Sequence, residues 1–540
     1  MNNIFAKLLM VAGKVVIFLM RMLRRNATTL PGKIALRLDK QLLVTLAKDL
    51  NVTLITGTNG KTTTTGMLCS IYESAGYRVV TNVSGANLGS GVATALIEGL
   101  PIMNKKNDHI RVVIEIDEAA FGKYAKDLNP KVIAITNLFR DQLDRYGELS
   151  KTREFIRKGI EESRNAKILI CADDSLCASL AYEASNTCTS TSIKTTNISN
   201  ESDILNKLDA SSGSETPSTI NTSSESVISN ISNAASALDL HTVCDEECHA
   251  TKNFKNVFSK NLKGRLFFCG VEKTSMIPDS ENKSVTTEAG NCVFCGATYD
   301  YSHRSFGHLG YFKCPSCGFS HPKTSLHCDY ERLPNNQFNA TFWWTNPVGD
   351  SMNLTLPVPG EHNVYNAMTA VGAAFLNGIS FHDSKNGLLH AKAGFGRMER
   401  FKICDREVCI VLVKNPVGLE RALDFLDNAT DAGNLLLLLN DGIADGTDVS
   451  WIWDVDFESK RFPDTCFVSG NRCYDMALRL LYAGVAKDRI TVSYDFVSMF
   501  EMALKQCKKD ECLYLLPNYT SLLELRAYLS KKYHLKEIWK

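Results

Sequence analysis

The chain has 540 residues, with 60 Lys plus Arg against 59 Asp plus Glu and a formal net charge of +1. This length predicts at least two domains, and the balanced charge excludes a bulk basic field of the kind that holds nucleic acid. A hydrophobic fraction of 44% excludes a disordered chain. The 18 cysteines are unusual. Without a signal-peptide cleavage pattern, they predict reduced thiols in a cytoplasmic protein, some of them bound to metal.

The first predicted element is a basic amphipathic helix over residues 4–25, within an N-terminal lead-in of residues 1–45. Lys7, Lys14 and Arg21 recur every seven residues and fall on one stripe of such a helix. Lys7 and Lys14 argue against a membrane span. Two interpretations stay open: a helix on an anionic membrane surface, or a helix packed on its own protein with a solvated basic edge.

Two blocks of alternating strand-like and helix-length segments follow, residues 46–395 and 396–540. In the first block we predict strands at 52–56, 78–82, 111–116, 131–136 and 167–171. This alternation predicts a parallel sheet covered by helices, and the second block predicts a smaller α/β domain. Residues 186–250 are rich in Ser, Thr and Asn and predict a disordered surface insertion.

The first strand ends in a glycine-rich loop that has the features of a phosphate-binding site. Its residues are Gly57, Thr58, Asn59, Gly60, Lys61, Thr62 and Thr63, directly ahead of a helix-compatible segment. Backbone N–H groups of such a loop face a polyphosphate, Lys61 reaches the terminal phosphates, and the hydroxyl of Thr62 can ligate magnesium. Glu115 and Glu118 lie at the carboxyl end of the strand at 111–116, where they are placed to hold the same ion. We therefore predict ATP and magnesium binding.

Four cysteines form two matched pairs that predict a zinc ribbon over residues 288–322. The pairs are Cys292 with Cys295 and Cys314 with Cys317, each followed by glycine. Four thiolates close a tetrahedral zinc and leave no position for water, so we predict a structural role. A redox-active cysteine pair or unrelated buried thiols would not explain two matched Cys-x-x-Cys-Gly turns.

Five motifs in chain order resemble those of the Mur ligases, amide-bond synthetases that activate a carboxylate as an acyl phosphate. They are TGTNGKTTTT (56–65), EIDE (115–118), TNLFRDQLDRYGE (136–148), PGEHNVYNAMTA (359–370) and FGRMERF (395–401). The resemblance implies a central P-loop ATPase domain with the zinc ribbon inserted, plus a smaller C-terminal Rossmann-like domain. It also implies that Asn363 and Asn366 lie near the adenine and that Arg397, in an interdomain linker, contacts the phosphates.

Two departures from the Mur ligase pattern narrow the kind of Mur ligase that this chain resembles. Only about fifty residues precede the phosphate loop, where a complete Mur ligase carries a substrate-binding domain. Asp141-Gln142-Leu143-Asp144 stands where the family has Asp-His-x-Asp, which leaves open whether one or two magnesium ions bind.

The zinc ribbon and the missing front domain resemble the MurT family, synthetase subunits of lipid II isoglutaminyl synthase. The resemblance implies ATP-dependent amidation of the α-carboxyl of D-glutamate in the lipid II stem peptide, giving D-isoglutamine. None of the 18 cysteines lies in a nucleophile elbow, so the chain is expected to have no glutaminase activity of its own. The resemblance implies that a GatD-like glutaminase, in a heterodimer with this chain, supplies the ammonia. An aspartate of the C-terminal domain would orient the partner's catalytic histidine. The candidates are Asp441, Asp445, Asp448 and Asp454, of which we select Asp448.

Lys61 and Arg397 are expected to stabilise the transferring phosphoryl group by their charge. One alternative is an amino-acid-adding ligase of the folylpolyglutamate synthetase type. The other is a non-catalytic, membrane-attached ATP-binding scaffold. The expected location is the cytoplasm, peripheral at the inner face of the plasma membrane.

Overall fold

The computed structural model describes residues 3–23, 27–82, 86–102, 107–139, 149–184, 254–256, 264–278, 289–345, 350–391, 397–427, 429–442 and 444–535. Two sequence predictions lie outside these residues: the disordered insertion at 186–250 and the departure from the Mur ligase pattern at 141–144.

The described strands are β1 Asn51–Thr56, β2 Arg78–Thr81, β3 Ile110–Glu115, β4 Val132–Ile135, β5 Lys167–Cys171, β6 Tyr182–Ala184, β7 Phe254–Asn256, β8 Leu266–Val271, β9 Ile277–Pro278, β10 Asp300–Arg304, β11 Gly310–Lys313, β12 Leu326–Leu333, β13 Gln337–Trp344, β14 Ser351–Thr355, β15 Arg397–Ile403, β16 Arg406–Val411, β17 Ala432–Leu438, β18 Cys466–Ser469, β19 Ile490–Val492 and β20 Cys512–Pro517. The described α-helices are α1 Asn3–Met22, α2 Leu30–Leu38, α3 Leu42–Ala47, α4 Lys61–Ser74, α5 Gly89–Gly99, α6 Glu118–Leu128, α7 Leu149–Glu162, α8 Ser175–Ala178, α9 Glu361–Leu376, α10 Phe381–Leu389, α11 Pro416–Asp427, α12 Cys473–Tyr482, α13 Phe496–Gln506 and α14 Tyr519–Tyr533.

A nine-stranded sheet of order β14-β13-β12-β8-β5-β4-β1-β3-β2 organises the first half of the fold. From β2 at one edge to β8, the neighbouring strands of this sheet run parallel to one another. Strand β13 is antiparallel to both β12 and β14. Its central strands are buried apolar runs, as expected where helices cover both faces. Because β1 and β3 are parallel neighbours with Ile55 opposite Glu115, the phosphate loop and the acidic residues meet at one edge of the sheet.

A six-stranded sheet of order β15-β16-β20-β17-β18-β19 organises the C-terminal half, and β15 is its antiparallel edge strand. One prediction differs here. Arg397 was expected in a linker, but it is the first residue of β15, because its backbone pairs with Val411. Strand β16 ends at Val411, so Lys414 lies beyond the carboxyl end of the strand.

Helix α1 packs on α5, and two of its basic residues contact the end of α5. The Lys14 Nζ donates to the carbonyl of Glu98 at 2.7 Å, and Arg21 pairs with the Glu98 carboxylate at 2.7 Å. The opposite face of α1 is apolar and exposed. No helix among the described residues is both long and apolar enough to cross a bilayer.

Strands β9, β10 and β11 form a small antiparallel sheet that carries the four paired cysteines. Tyr299, Phe312 and Phe319 fill its core in mutually tilted and edge-to-face contacts. Such ring geometries stabilise a core too small to fold on aliphatic burial alone.

Candidate active site

The phosphate loop adopts a backbone that glycine permits at two positions. Gly57 and Gly60 have φ of 122° and 81°, and a side chain at Gly60 would collide with Asn366. Thr58 fixes the loop to the neighbouring strand end: its hydroxyl donates to the carbonyl of Phe139 at 3.1 Å and lies 3.1 Å from the Phe139 amide. The loop is therefore shaped before any ligand binds.

Lys61, the first residue of α4, forms a buried ion pair with Glu118, the first residue of α6. The Lys61 Nζ lies 2.8 Å from the Glu118 Oε1, and the two side chains are only 9% and 6% exposed. Lys61 also donates to the carbonyls of Gly57 and Thr58. Burial works to lower the pKa of Lys61, but the carboxylates of Glu118, Glu115 and Asp117 outweigh it and raise the pKa. Lys61 therefore keeps its positive charge where a terminal phosphate would lie.

The acidic cluster beside Lys61 has the composition of a divalent-cation site. Glu115, Asp117 and Glu118 are all buried, and Asp117 caps α6 by accepting from the amide of Ala119. Burial raises the pKa of Glu118, opposed by the charge of Lys61. Mg²⁺ prefers the carboxylate oxygens that these three side chains offer. Thr62, half-buried in the first turn of α4, completes the predicted set.

Asn363 and Asn366 lie on α9 and brace the phosphate loop from the side. Asn366 donates to the Asn363 Oδ1 at 2.9 Å and accepts from the Thr64 hydroxyl at 3.3 Å. Asn363 in turn donates to the carbonyl of Pro359 at 2.6 Å. The structure brings both predicted amides to the cleft next to Gly60.

The phosphate loop, the acidic cluster and the two asparagines of α9 form the first wall of a cleft. The C-terminal half of the chain supplies the second wall, which the sequence analysis did not predict. Lys414 Nζ lies 3.5 Å from the carbonyl of Thr58, and Asn415 donates to the Asn59 Oδ1 at 3.1 Å. Arg421, one turn into α11, lies over the ring of Phe306. The signal that could have predicted this wall is the position of Lys414 and Asn415. They follow the carboxyl end of a parallel strand, which is the usual position of binding groups in α/β folds.

The two walls enclose a cleft with about 970 Å³ of empty space, including its opening to solvent. Its lining from the first half includes Asn59, Thr63, Phe306 and Asn366, and its lining from the second includes Met398, Lys414 and Arg421. A cleft with mixed apolar and polar lining beside a phosphate loop is the kind of site in which a nucleotide binds. Arg397 precedes Met398 on β15, which places its backbone at the cleft; its side chain lies outside the described residues.

The four candidate aspartates of the C-terminal domain occupy different environments. Asp445 is buried and accepts from the amide of Thr520 at 2.8 Å, and Asp441 pairs with Arg472 at 3.4 Å. Asp448 and Asp454 are both exposed. Asp448 accepts from the amide of Ser450 at 2.8 Å, just ahead of the short helical turn Ser450–Asp454. Asp448 therefore combines exposure with a fixed local geometry.

The four ribbon cysteines converge, with Sγ atoms within 4.8 Å of one another. Cys292 and Cys317 lie 3.5 Å apart, and Cys295 and Cys314 lie 3.4 Å apart. A tetrahedral zinc with Zn–S bonds of about 2.3 Å requires S–S edges of about 3.8 Å, so the set fits. Burial works to raise the pKa of Cys295, but hydrogen bonds from the Ala297 backbone and the other thiols lower it to about 7. No disulfide joins the cysteines that the structure describes.

The comparisons with known proteins agree with this architecture. The Mur ligase middle domain matches residues 55–238, and the MurT ligase C-terminal domain matches residues 412–522. A pseudomurein peptide ligase type C from Methanothermus fervidus shares the fold at 20% identity with a TM-score of 0.55, over 89% of this chain and 79% of that chain. MurF from Acinetobacter baumannii does so at 16% identity and 0.56, over 92% and 80%. The fold and the site define an enzyme of the Mur ligase class.

Two curated relatives are similar along nearly their whole length. The MurT subunit of lipid II isoglutaminyl synthase (glutamine-hydrolyzing) from Streptococcus pneumoniae is 30% identical over 535 residues, 98% of each chain. The corresponding subunit from Staphylococcus aureus is 26% identical over 516 residues, 95% of each chain. The chain belongs to the MurT family.

Proposed function

We propose that this chain is the synthetase subunit of a lipid II isoglutaminyl synthase. The observation that carries the proposal is the buried Lys61–Glu118 pair at the phosphate loop, whose Gly60 and Thr63 line the adjoining cleft, in a chain of MurT length and family. Lys61 would withdraw charge from the transferring phosphoryl group, as such transfers require. The same geometry supports ATP binding by residues 57–63, with Asn363 and Asn366 beside the base.

The proposed reaction has two steps. A carboxylate oxygen of the D-glutamate α-carboxyl attacks the γ-phosphorus of ATP, and ADP leaves, which gives an acyl phosphate. Ammonia then attacks the acyl carbon, inorganic phosphate leaves, and a proton is released. The product is the D-isoglutamine amide. Mg²⁺, held by Thr62, Glu115 and Glu118, would neutralise charge on the phosphates.

Zinc in the ribbon has a structural role in this proposal. Both knuckles close with matched backbone bonds, from Gly296 to Cys292 at 2.8 Å and from Gly318 to Cys314 at 3.0 Å. Both glycines have positive φ, 77° and 78°. Four protein thiolates leave no open coordination position, so the ion would stabilise the fold rather than activate water.

The proposed partner is a GatD-like glutaminase that docks on the α12 face, which we define as Trp453, Tyr474, Leu478, Leu481 and Tyr482. These side chains are exposed, Tyr482 by 70%, and Trp453 meets Tyr482 edge-to-face at 5.4 Å. Exposed aromatic clusters are typical of interaction surfaces. Trp453 lies in the Ser450–Asp454 turn, and the amide of Ser450 donates to Asp448, so a partner on this face would lie close to the Asp448 carboxylate.

The proposed membrane contact is the outer stripe of α1, which we define as Ile4, Leu8, Val11, Val15, Phe18 and Met22. These residues follow steps of four and three and are all exposed, Phe18 by 64%. Leu30, Ile34 and Leu38 add an exposed row on α2, and Lys33 and Arg37 are exposed beside it. An apolar stripe flanked by basic residues suits an anionic bilayer surface, where a lipid-linked substrate is found.

The two surfaces can be tested as controls for each other. A Val15→Ser, Phe18→Ser variant should lose sedimentation with phosphatidylglycerol vesicles and keep its glutaminase. A Leu481→Ser, Tyr482→Ser variant should lose its glutaminase and keep sedimentation with the vesicles. If either variant loses both properties or neither, the assignment of these surfaces is wrong.

The activity is tested by supplying lipid II, ATP and one nitrogen source at a time. With ammonium chloride the chain alone should amidate the stem peptide, and with glutamine it should require the glutaminase. Mass spectrometry should give the decrease expected when an amino group replaces a hydroxyl. A mass increase equal to an amino-acid residue would instead support the amino-acid-adding alternative. ATP turnover without any change in the peptide would contradict amidation.

A further inference from the structure

The zinc ribbon reaches the nucleotide cleft through the turn of its β10–β11 hairpin, residues 305–309. Strand β11 ends at Lys313, directly before Cys314, so one end of the hairpin meets the cysteine cluster. At the other end, Ser305 donates to the carbonyl of Leu309 at 2.9 Å and closes the turn. Phe306 in this turn is 4% exposed and lines the cleft.

The hairpin turn is anchored to the ATP-binding half by buried contacts. Asp174 and Leu309 form an antiparallel bridge, and His308 lies 3.1 Å from the Asp174 carboxylate. His308 also contacts the ring of Phe139, with 4.6 Å between ring centroids. Because the backbone of Phe139 holds Thr58 of the phosphate loop, the turn and the loop share one support.

Phe306 presents an aromatic surface between the two walls. Its ring stacks parallel to Phe139 with 6.3 Å between centroids and meets Tyr365 edge-to-face at 5.5 Å. The Arg421 guanidinium, from the C-terminal half, lies 4.8 Å from the centre of the Phe306 ring. A cleft lined by an aromatic ring, a guanidinium and the amides of Asn363 and Asn366 suits a purine base.

We propose that Phe306 is a nucleotide-positioning residue that contacts the adenine of ATP, so that the zinc ribbon forms part of the base pocket. This inference rests on the proposed ATP binding and assigns the ribbon a role beyond structural stability. In this arrangement the phosphate loop binds the triphosphate, and the ribbon turn selects and orients the base.

Binding titrations on the chain purified with its glutaminase separate these roles. Phe306→Ala should weaken ATP binding about tenfold, the loss expected for one base stack. Affinity for inorganic tripolyphosphate, which has no base, should be unchanged. Phe306→Tyr should retain ATP affinity, and Phe306→Leu, which keeps the apolar volume, should resemble the alanine variant. Zinc content measured on each sample confirms that the ribbon stays assembled.

The outcomes are distinguishable. Unchanged ATP affinity in both the alanine and leucine variants would overturn the role of Phe306 and leave the proposed function intact. Equal losses for ATP and tripolyphosphate would also overturn it, because they would show a distorted phosphate loop. If the unaltered protein binds tripolyphosphate but not ATP, the proposed function itself is wrong.

Discussion

The two walls of the cleft are held in place very differently. The first wall is braced internally: Lys61 contacts Glu118 and two loop carbonyls, and Asn366 contacts both Asn363 and Thr64. The second wall contacts the loop at Lys414, 3.5 Å from Thr58, and at Asn415, 3.1 Å from Asn59. The first wall is therefore pre-organised for nucleotide binding, whereas the second depends on how the C-terminal half is placed against it.

Replacing Lys61, in the internally braced first wall, should have the largest effect on activity. Lys61→Ala eliminates the charge aimed at the transferring phosphoryl group, and we expect amidation to fall by at least about 10²–10³-fold. Lys131→Ala, at an exposed lysine directly before β4, is the matched control and should keep full activity. Retention of the biological role by a Lys61→Ala strain would favour the non-catalytic scaffold.

Breaking the cysteine cluster should have the next largest effect. Cys314→Ser removes one of four ligands, so zinc content should fall from about one ion per chain to near zero. Limited proteolysis should then cut the ribbon. Cys404→Ser, at an exposed cysteine outside the ribbon, should change neither readout. Full zinc content in the Cys314→Ser protein would contradict the four-thiolate site.

Changing the second wall should separate turnover from binding. Lys414→Ala removes a cation from the cleft without altering the phosphate loop, so kcat should fall about 10–100-fold. The dissociation constant for ATP should change little, because the braced wall is intact. Equal losses in kcat and in ATP affinity would show that the second wall also binds ground-state nucleotide.

The smallest effect concerns Asp431, which ties the edge strand β15 to its sheet. Burial works to raise the pKa of Asp431, but hydrogen bonds from Arg400 at 2.6 Å and Tyr514 at 2.8 Å lower it. Because the folded-state pKa is depressed, this stabilisation is present above the unfolded-state pKa and lost as pH falls through the folded-state value.

Asp431→Asn should therefore reduce the free energy of unfolding at pH 7 by about 1 kcal/mol or less, as expected for a half-exposed ion pair. Denaturant titrations should show this difference shrinking as the pH is lowered below about 4. A difference that persists at low pH would mean that packing, not charge, ties β15 to the sheet.

The first wall could be predicted from sequence because its groups are close in sequence to regular elements. A glycine-rich turn after β1 and carboxylates after β3 meet wherever two parallel strands are neighbours. The four cysteines were predictable for a similar reason, since each pair spans one turn. Such signals depend on local spacing alone.

The second wall and the ribbon turn depend on placement that no local pattern contains. Lys414 lies at the cleft because β16 ends three residues earlier, at Val411, and Phe306 reaches it because Asp174 and His308 meet across a gap of more than a hundred residues. The contacts of the α1 charges depend on placement in the same way: Lys14 and Arg21 contact Glu98 of α5, and the apolar stripe is exposed.

The most direct test of the central claim follows the oxygen atoms of the substrate carboxyl. Lipid II labelled with ¹⁸O in the D-glutamate α-carboxyl is incubated with the complex, ATP and glutamine, and the released phosphate is analysed by mass spectrometry. Transfer of one labelled oxygen to phosphate, matched to each amide formed, is the predicted result. Amide formation with unlabelled phosphate would contradict activation of the carboxylate as an acyl phosphate.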